Sequence, residues 1–309
     1  MPNIMWTWQQ AAAVAAVLGA AWVLTASRGK APRTQPFLRE SALVIGLYGL
    51  WQLAGSLAGS GTYAAVDRGA WIWRVERDLR LPSEATVQGW VLPHPLLAQA
   101  ANLYYDTAHF TVLIIFLIWL FVRHRDAYPA WRTTLGLLTA GCLLIQFVPV
   151  APPRMLPGDG IVDTPLLYHQ SVYGSTGGFD PDQLSSMPSV HVAWALLIAV
   201  CMLRVSTSRW RYLGVAHAVT TVLVVVVTGN HYWADGIVAA AVLAVAAGLQ
   251  RSVAAGWAGL RAARLVRALE ESRARAAVGG VRVAGSMPAT ADREHATAGG
   301  PDPEIPPKE

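Results

Sequence analysis

Apolar residues in this 309-residue chain come in blocks separated by polar stretches that range from a short turn to more than thirty residues. Such blocks lie at about 5–26, 42–59, 97–122, 133–150, 188–203, 212–228 and 231–250. Each is close to the roughly 17 to 25 residues that a helix rising about 1.5 Å per residue needs to cross a ~30 Å hydrocarbon layer. Helices satisfy their own backbone groups in lipid, so the pattern predicts an all-α, polytopic membrane helix bundle of about seven transmembrane helices. Between the second and third blocks the pattern changes. Residues 66–80 set Trp71, Val75 and Leu79 at helical spacing and fill the other faces with charges, which is too polar to span. A helix lying in the membrane interface and an ordinary helix packed on the outside of the bundle both fit.

Composition agrees with a membrane protein. The chain is 54% hydrophobic and only 14% charged, with a mean hydropathy of +0.37, which leaves too little polar surface for a soluble fold of this length. The first block lacks a basic leader and is long for the apolar part of a signal peptide, so it is expected to be a retained span. Gly46, Gly49, Gly55 and Ser56 in the second block permit close helix contact. Cys142 and Cys201 lie inside apolar blocks and imply neither a disulfide framework nor a thiolate metal site. Residues 251–277 alternate Ala, Leu and Val with Arg261, Arg264, Arg267, Arg273 and Arg275, the pattern of a basic amphipathic helix near headgroups. From Gly279 onward the Gly, Pro and charge content predicts disorder. The expected organisation is thus two N-terminal spans in 1–60, an extracytoplasmic interfacial region in 61–96, a five-helix core in 97–250, a basic cytoplasmic helix in 251–277 and a disordered tail in 278–309.

Orientation follows from the loops, because Lys and Arg accumulate on the cytoplasmic side. The 28–39 loop, the 123–132 turn, the 204–211 turn and the tail together hold most of the 24 basic residues. If these share the cytoplasmic side of a plasma membrane, the N-terminus is outside and the C-terminus cytoplasmic. The span that starts near residue 188 then descends and the next climbs back. Residues 186–191 and 229–235 therefore meet at the extracytoplasmic face.

Those two stretches carry the candidate chemistry. Ser186-Met187-Pro188-Ser189-Val190-His191 and Gly229-Asn230-His231-Tyr232-Trp233-Ala234-Asp235 each put a histidine at a membrane boundary, a costly position for an ionisable group without a role. His231 and Asp235 are one helical turn apart, so the carboxylate can hold one ring nitrogen and leave the other basic and directed. His191 can give a proton to a departing oxygen. Arg154 offers a planar fork for phosphate oxygens, although Arg at a membrane boundary also serves as a headgroup anchor. Ser189 stands where a helix starts, either as a cap or as a donor to an anion. In the third block Asp106 and His109 share a helix face beside Tyr105, as part of the site or as a polar pair that satisfies itself. His and Asp at this spacing also suit a metal, with Asp106 or His109 as further ligands. The preferred reading has no metal, no cofactor and no nucleic-acid partner.

On these residues the chain resembles the type 2 phosphatidic acid phosphatase (PAP2) superfamily of membrane phosphatases and phosphotransferases. Pro188-Ser189-Val190-His191 is similar to its Pro-Ser-Gly-His motif with Val for Gly, and His231 through Asp235 matches its His-x-x-x-Asp motif. Pro153-Arg154 loosely matches its first, Arg-containing motif, and the resemblance covers about residues 145–240. It implies a PAP2-like core, with His231 as the nucleophile that forms a phosphohistidine, Asp235 as its orienter, His191 as general acid, and Arg154 and Ser189 as phosphate binders. Two departures stand out: Gln146-Phe147-Val148 lacks the Lys expected before the Arg, and Val225 stands where an Arg usually precedes the second histidine by six residues. Fewer cations suit a singly charged diester better than a doubly charged monoester. With Gly229-Asn230-His231-Tyr232, the chain is more similar to the inositol phosphotransferase and sphingomyelin-synthase branch. The expectation is a phosphotransferase that moves an inositol-phosphate-like headgroup between phospholipid or polyprenyl-lipid substrates in the bilayer. Asp106, His109, Tyr105 and Asn230 are then candidates to contact the headgroup or support the site. The alternatives are a lipid or polyprenyl phosphate phosphatase, with water as acceptor, and a non-enzymatic lipid-binding or transport protein on the same fold.

Overall fold

The computed structural model describes residues 7–29, 34–56, 62–170 and 184–284. Among them are α1 (Trp8–Ser27), α2 (Gln35–Ser56), α3 (Thr62–Asp78), α4 (Glu84–Gly89), α5 (Pro95–Arg123), α6 (Tyr128–Gln146), α7 (Thr164–Leu167), α8 (Val190–Val205), α9 (Tyr212–Val227) and α10 (Trp233–Ala284). The described residues form no strand, as the block pattern predicts, and Val150 and Ser185 make an isolated parallel bridge. Trp8–Ser27, Pro95–Arg123, Arg209–Val227 and Trp233–Arg267 are long and apolar enough to cross a membrane, and α8 is a shorter apolar helix.

The chain divides into two compact units, 1–253 and 254–309. In the second unit the described residues are helical to Ala284, and the side chains described there are exposed. The helix passes through Gly279 and Gly280, beyond the start of the predicted disorder. Residues 285–309, the rest of that tail, lie outside the described residues, as do Asp180 and Asp182 of the loop before α8.

Small residues set the helix contacts of the first unit. A Cβ on Gly49 would stand 3.2 Å from Ala11 Cβ and one on Gly46 would stand 3.7 Å from Ala15 Cβ, so α1 and α2 approach where side chains are least. Helix α2 begins before the apolar block because Glu40 has partners: it is buried, accepts from Arg39 at 2.7 Å, and pairs with Arg132 of α6. At the other end, α6 stops at Gln146 rather than near residue 150. Pro149 cannot continue a helical ladder, and Val150 pairs instead through Val150 N–H to Leu184 O (2.7 Å) and Ser186 N–H to Val150 O (3.2 Å).

Helix α8 is the centre of the packing. Most of its length is buried, from Val192 to Cys201, and it turns back on α9 through Arg209–Arg211. Gly214 allows that return, since its missing Cβ would lie 3.1 Å from Ala199 Cα. Helix α5 joins α9 by Tyr104, whose hydroxyl is 2.6 Å from His217 Nδ1 and 3.1 Å from Thr221 Oγ1. The short α4, which the apolar pattern does not mark, delivers Gln88. Its buried amide donates to Val162 O and Val227 O and accepts from Val162 N–H, tying the 159–164 loop to the end of α9.

Helix α3 turns a different face inward from the one its apolar spacing suggests. Trp71 and Leu79 are exposed, as suits a helix at a membrane interface, while Ala65, Gly69, Ile72 and Glu76 face the bundle. Gly69 is the point of closest approach: a Cβ there would sit 2.7 Å from both Ala151 O and the Tyr232 hydroxyl. The Ala151 carbonyl cannot yield without losing the bond it accepts from Tyr232 at 2.9 Å. Gly69→Ala is therefore expected to destabilise the protein by about 1–3 kcal/mol through overpacking. Gly46→Ala should be near neutral. Thermal unfolding of the two variants in detergent measures the difference.

Candidate active site

Two helix starts and one helix end converge on the site. Ser189 caps α8, its Oγ accepting from Val192 N–H at 3.3 Å, and follows a cis Met187–Pro188 bond. Helix α9 ends at Val227, and Gly229 then takes φ +67°, a conformation open to glycine but strained for residues with a Cβ. A Cβ there would also stand 2.7 Å from Ile161 Cγ2 and 3.1 Å from Arg154 Cβ. This turn brings Asn230 and His231 back under the helix they have left, and both of their N–H groups donate to Val225 O at 3.1 Å. Helix α10 starts two residues later, with Asp235 in its first turn, where the helix end favours a negative charge.

Asp235 and His231 are both buried and face each other. Asp235 Oδ2 lies 3.0 Å from His231 Nδ1 and accepts from Ser186 Oγ at 2.6 Å and from Tyr232 N–H at 3.0 Å. His231 Nδ1 is also 2.8 Å from Ser186 O. A carbonyl and a carboxylate are both acceptors, so Nδ1 carries the proton. When the ring is neutral, Nε2 is therefore its lone-pair nitrogen, and Nε2 is buried with no protein partner.

His191 opposes it from the first turn of α8. The two ring centroids are 5.8 Å apart, and His191 Nε2 is likewise buried without a protein partner. Rings from α5 fix its plane: Tyr105 stacks on it at 4.2 Å with 20° between planes, and His109 stands at 4.2 Å on a tilt. Trp194 and Phe110 flank His109, and Trp194 is itself anchored by Nε1 to Thr139 Oγ1 at 3.0 Å. Two neighbouring imidazoles that each keep an unpartnered Nε2 can act on one phosphorus, one as nucleophile and one as proton donor.

Arg154 reaches the same loop from the Pro153–Met155 turn. Its N–H donates to Gly229 O at 2.9 Å, its Nε to Asn230 Oδ1 at 2.9 Å, and its Nη1 pairs with Asp163 Oδ2 at 3.0 Å. Asn230 is held in turn by donating to Thr228 Oγ1 at 2.8 Å. The guanidinium is thereby set one residue from His231.

The structure thus brings His191, His231, Asp235, Arg154, Ser189, Asn230, Tyr105 and His109 into one region, on the ends of α8, α9 and α10 and the first half of α5. Asp106 is half-buried on α5 and makes no ion pair with His109 among the described residues, since His109 Nδ1 lies 3.1 Å from Tyr105 O instead. Among the described residues no three His, Cys, Asp or Glu side chains come together as a metal site. The two departures from the family motifs have structural explanations. Gln146 donates to Ser185 O at 3.3 Å and Pro188 O at 3.2 Å, and Val225 packs in the core while its carbonyl holds the His231 loop.

Two contributors escape the motif reading. Ser186 lies inside the singled-out stretch, but a serine two residues before a proline carries no signal of its own. Glu76 of α3 accepts from Ala234 N–H at 2.7 Å, and it is visible in sequence only as the charged member of an Ala65, Gly69, Ile72, Glu76 face.

Comparison with curated proteins and with solved structures gives no match. The family model described as the PAP2 superfamily does match, over residues 70–249. That range is well over half of the chain, takes in α4 through α9, and contains every site residue named above. It also reaches back to α3, far ahead of the motifs at 145–240. The helical membrane fold, the paired histidines with their buried carboxylate and this match agree that the chain is a member of the PAP2 superfamily.

Proposed function

We propose that this protein is a membrane phosphotransferase that moves an inositol-phosphate-like headgroup between lipids through a phosphohistidine intermediate. The observation that carries the reading is the fixed tautomer of His231, whose Nε2 is buried without a protein partner in a ring centred 5.8 Å from that of His191. In the first step Nε2 attacks the phosphorus of a lipid phosphodiester. The P–O bond to the lipid alkoxide breaks, and His191 gives that oxygen its proton. In the second step an acceptor hydroxyl loses its proton to His191 and attacks the phosphorus, and the P–N bond breaks to restore His231. Asp235 keeps Nδ1 in place and offsets the positive charge that His231 gains as the P–N bond forms. Arg154 and Ser189 are the proposed phosphate contacts, with Asn230 holding the guanidinium. Tyr105, His109 and Asp106 are the proposed headgroup contacts.

The substrate is a phospholipid or polyprenyl lipid, and singly charged diesters are preferred because one cation, Arg154, serves the site where the family motifs lead one to expect three. In this reading α1, α2, α5, α6, α8, α9 and α10 cross a plasma membrane, α3 lies at its outer surface, the site opens outward and the C-terminus is cytoplasmic. The excess of Lys and Arg in the 28–39, 123–132 and 204–211 segments and the tail supports that orientation.

Three outcomes are expected. Purified protein given lipid diesters and monoesters should transfer headgroups from diesters to a lipid or polyol acceptor; release of inorganic phosphate from monoesters alone would assign the chain to the phosphatases of the superfamily instead. His231→Gln should lower turnover by at least about 1,000-fold, as removing a nucleophile does, while expression and thermal midpoint hold. Ser186→Ala removes one charge-assisted hydrogen bond from Asp235 and should lower kcat by roughly 10- to 150-fold, with KM little changed. Steady-state kinetics on detergent-solubilised protein separates kcat from KM for both variants.

A further inference from the structure

Behind the His231–Asp235 pair lies a second group of acids that no step above uses. Glu76 of α3 and Glu84 of α4 are both almost completely buried. Glu76 Oε1 accepts from Ala234 N–H, next to Asp235 in the first turn of α10. Its Oε2 is buried without a hydrogen-bond partner among the described side chains, as is Glu84 Oε2. One guanidinium serves both: Arg77 Nη2 is 3.5 Å from Glu76 and 3.2 Å from Glu84, and it also donates to Pro82 O at 3.1 Å. Trp233 Nε1 donates to the same carbonyl at 2.9 Å, so the start of α10 rests on this cluster at two points.

We infer that Glu76 is a positioning residue for the His231–Asp235 pair, acting through the Ala234 N–H and kept in place by a proton held between Glu76 and Glu84. The charges require that proton. Two carboxylates, Asp235 nearby and a single Arg77 would leave an uncompensated negative charge in a buried place, which is costly unless one acid stays neutral. Burial first, then the neighbouring Glu84 carboxyl, and also the like charge of Asp235, push Glu76 up to about 9, against the lowering pull of the Ala234 N–H. The neutral acid still offers a carbonyl oxygen to Ala234 N–H. Deprotonation would add a charge near Asp235 and would compete with it for the positive end of α10.

The sign of the pH effect follows. Glu76 binds its proton more tightly folded than unfolded, so its contribution to stability is complete below the ordinary 4.5 and is lost as pH rises through about 9. The groups that face it are Arg77 on α3, Glu84 on α4, the Tyr232 hydroxyl ahead of α10, and Ala234 N–H and Asp235 on α10.

The test compares Glu76→Gln, which keeps the acceptor and removes the titration, with Glu76→Ala, which removes both. Turnover of a lipid phosphate ester, for which the inference rests on the reaction proposed above, and thermal midpoint are measured from pH 6 to pH 10. Glu76→Gln should keep kcat at pH 7 within about threefold and lose the alkaline fall near pH 9, while Glu76→Ala should lose about 10- to 100-fold in kcat with KM unchanged. The wild-type midpoint should drop between pH 6 and pH 10 and that of Glu76→Gln should stay level. Equal activity of the two variants, or an unchanged alkaline limb in Glu76→Gln, overturns the inference. A wild-type protein that turns over no phosphate ester but shows the midpoint difference would remove the reaction and leave the proton-holding pair standing. A level wild-type midpoint would remove the pair whatever the turnover.

Discussion

A single carboxylate oxygen organises this site. Asp235 Oδ2 faces three polar groups, from Ser186 ahead of α8, from Tyr232 ahead of α10 and from the His231 ring. A carboxylate this buried costs several kcal/mol unless it is fully supplied with donors and opposite charge. The first turn of α10 offers part of that charge, equivalent to roughly half a unit at a helix N-terminus. The His231 ring and Tyr232 N–H supply Oδ2 from the same loop, and Ser186 Oγ completes it only once the lead-in to α8 and the α9–α10 loop have met. Burial of Asp235 and assembly of the two histidine stretches are one event.

The backbone around it is correspondingly over-determined. Val150 pairs with Leu184 and Ser186, Gln146 holds the carbonyls of Ser185 and Pro188, and Ser189 N–H reaches Asp235 O at 3.4 Å. On the other side, Val225 O receives two N–H groups of the His231 loop, and Gly229 makes room for Arg154. Tyr232 spans the two halves, its N–H on Asp235 and its hydroxyl on Ala151 O, under the glycine notch of α3. In the regions where the family motifs lead one to expect cations, this chain has groups that hold main chain in place.

The helical membrane class and the meeting of residues 186–191 with 229–235 were legible in the sequence, because both follow from block length and from antiparallel neighbours joined by a short turn. Helix ends were less so. Residues 147–150 continue the apolar block that α6 leaves at Gln146; Pro149 marks the break, and Val150 then pairs with a segment 35 residues away that no local pattern points to. Helix α3 shows the same limit more sharply. Its apolar residues Trp71 and Leu79 point outward, and a glutamate points in, because what decides the inward face is the Gly69 notch over Tyr232 and the donor at Ala234. The Asp106 and His109 spacing on α5 misleads for a related reason. Local geometry allows them to meet, but Tyr105, His191, Phe110 and Trp194 surround the His109 region with rings, and its Nδ1 turns to its own helix.

Charge then bears on which phosphate esters such a site can hold. Arg154 is already shared with Asp163, whose other oxygen caps the four residues of α7 through Leu166 N–H at 3.0 Å. Its full charge is therefore not available to an incoming anion. What remains for a bound phosphate is the balance of one guanidinium and the neutral donors at the start of α8. At about 4 Å and an effective dielectric near 20, a second unpaired negative charge on the phosphate forgoes about 4 kcal/mol of attraction that one further cation would have supplied. That difference is several hundredfold in binding, larger than any single hydrogen bond here can restore. On the proposed reading, a further cation beside the same two histidines and aspartate would suit a monoester, and Arg154 alone among the motif positions suits a phosphate that keeps one of its oxygens esterified throughout.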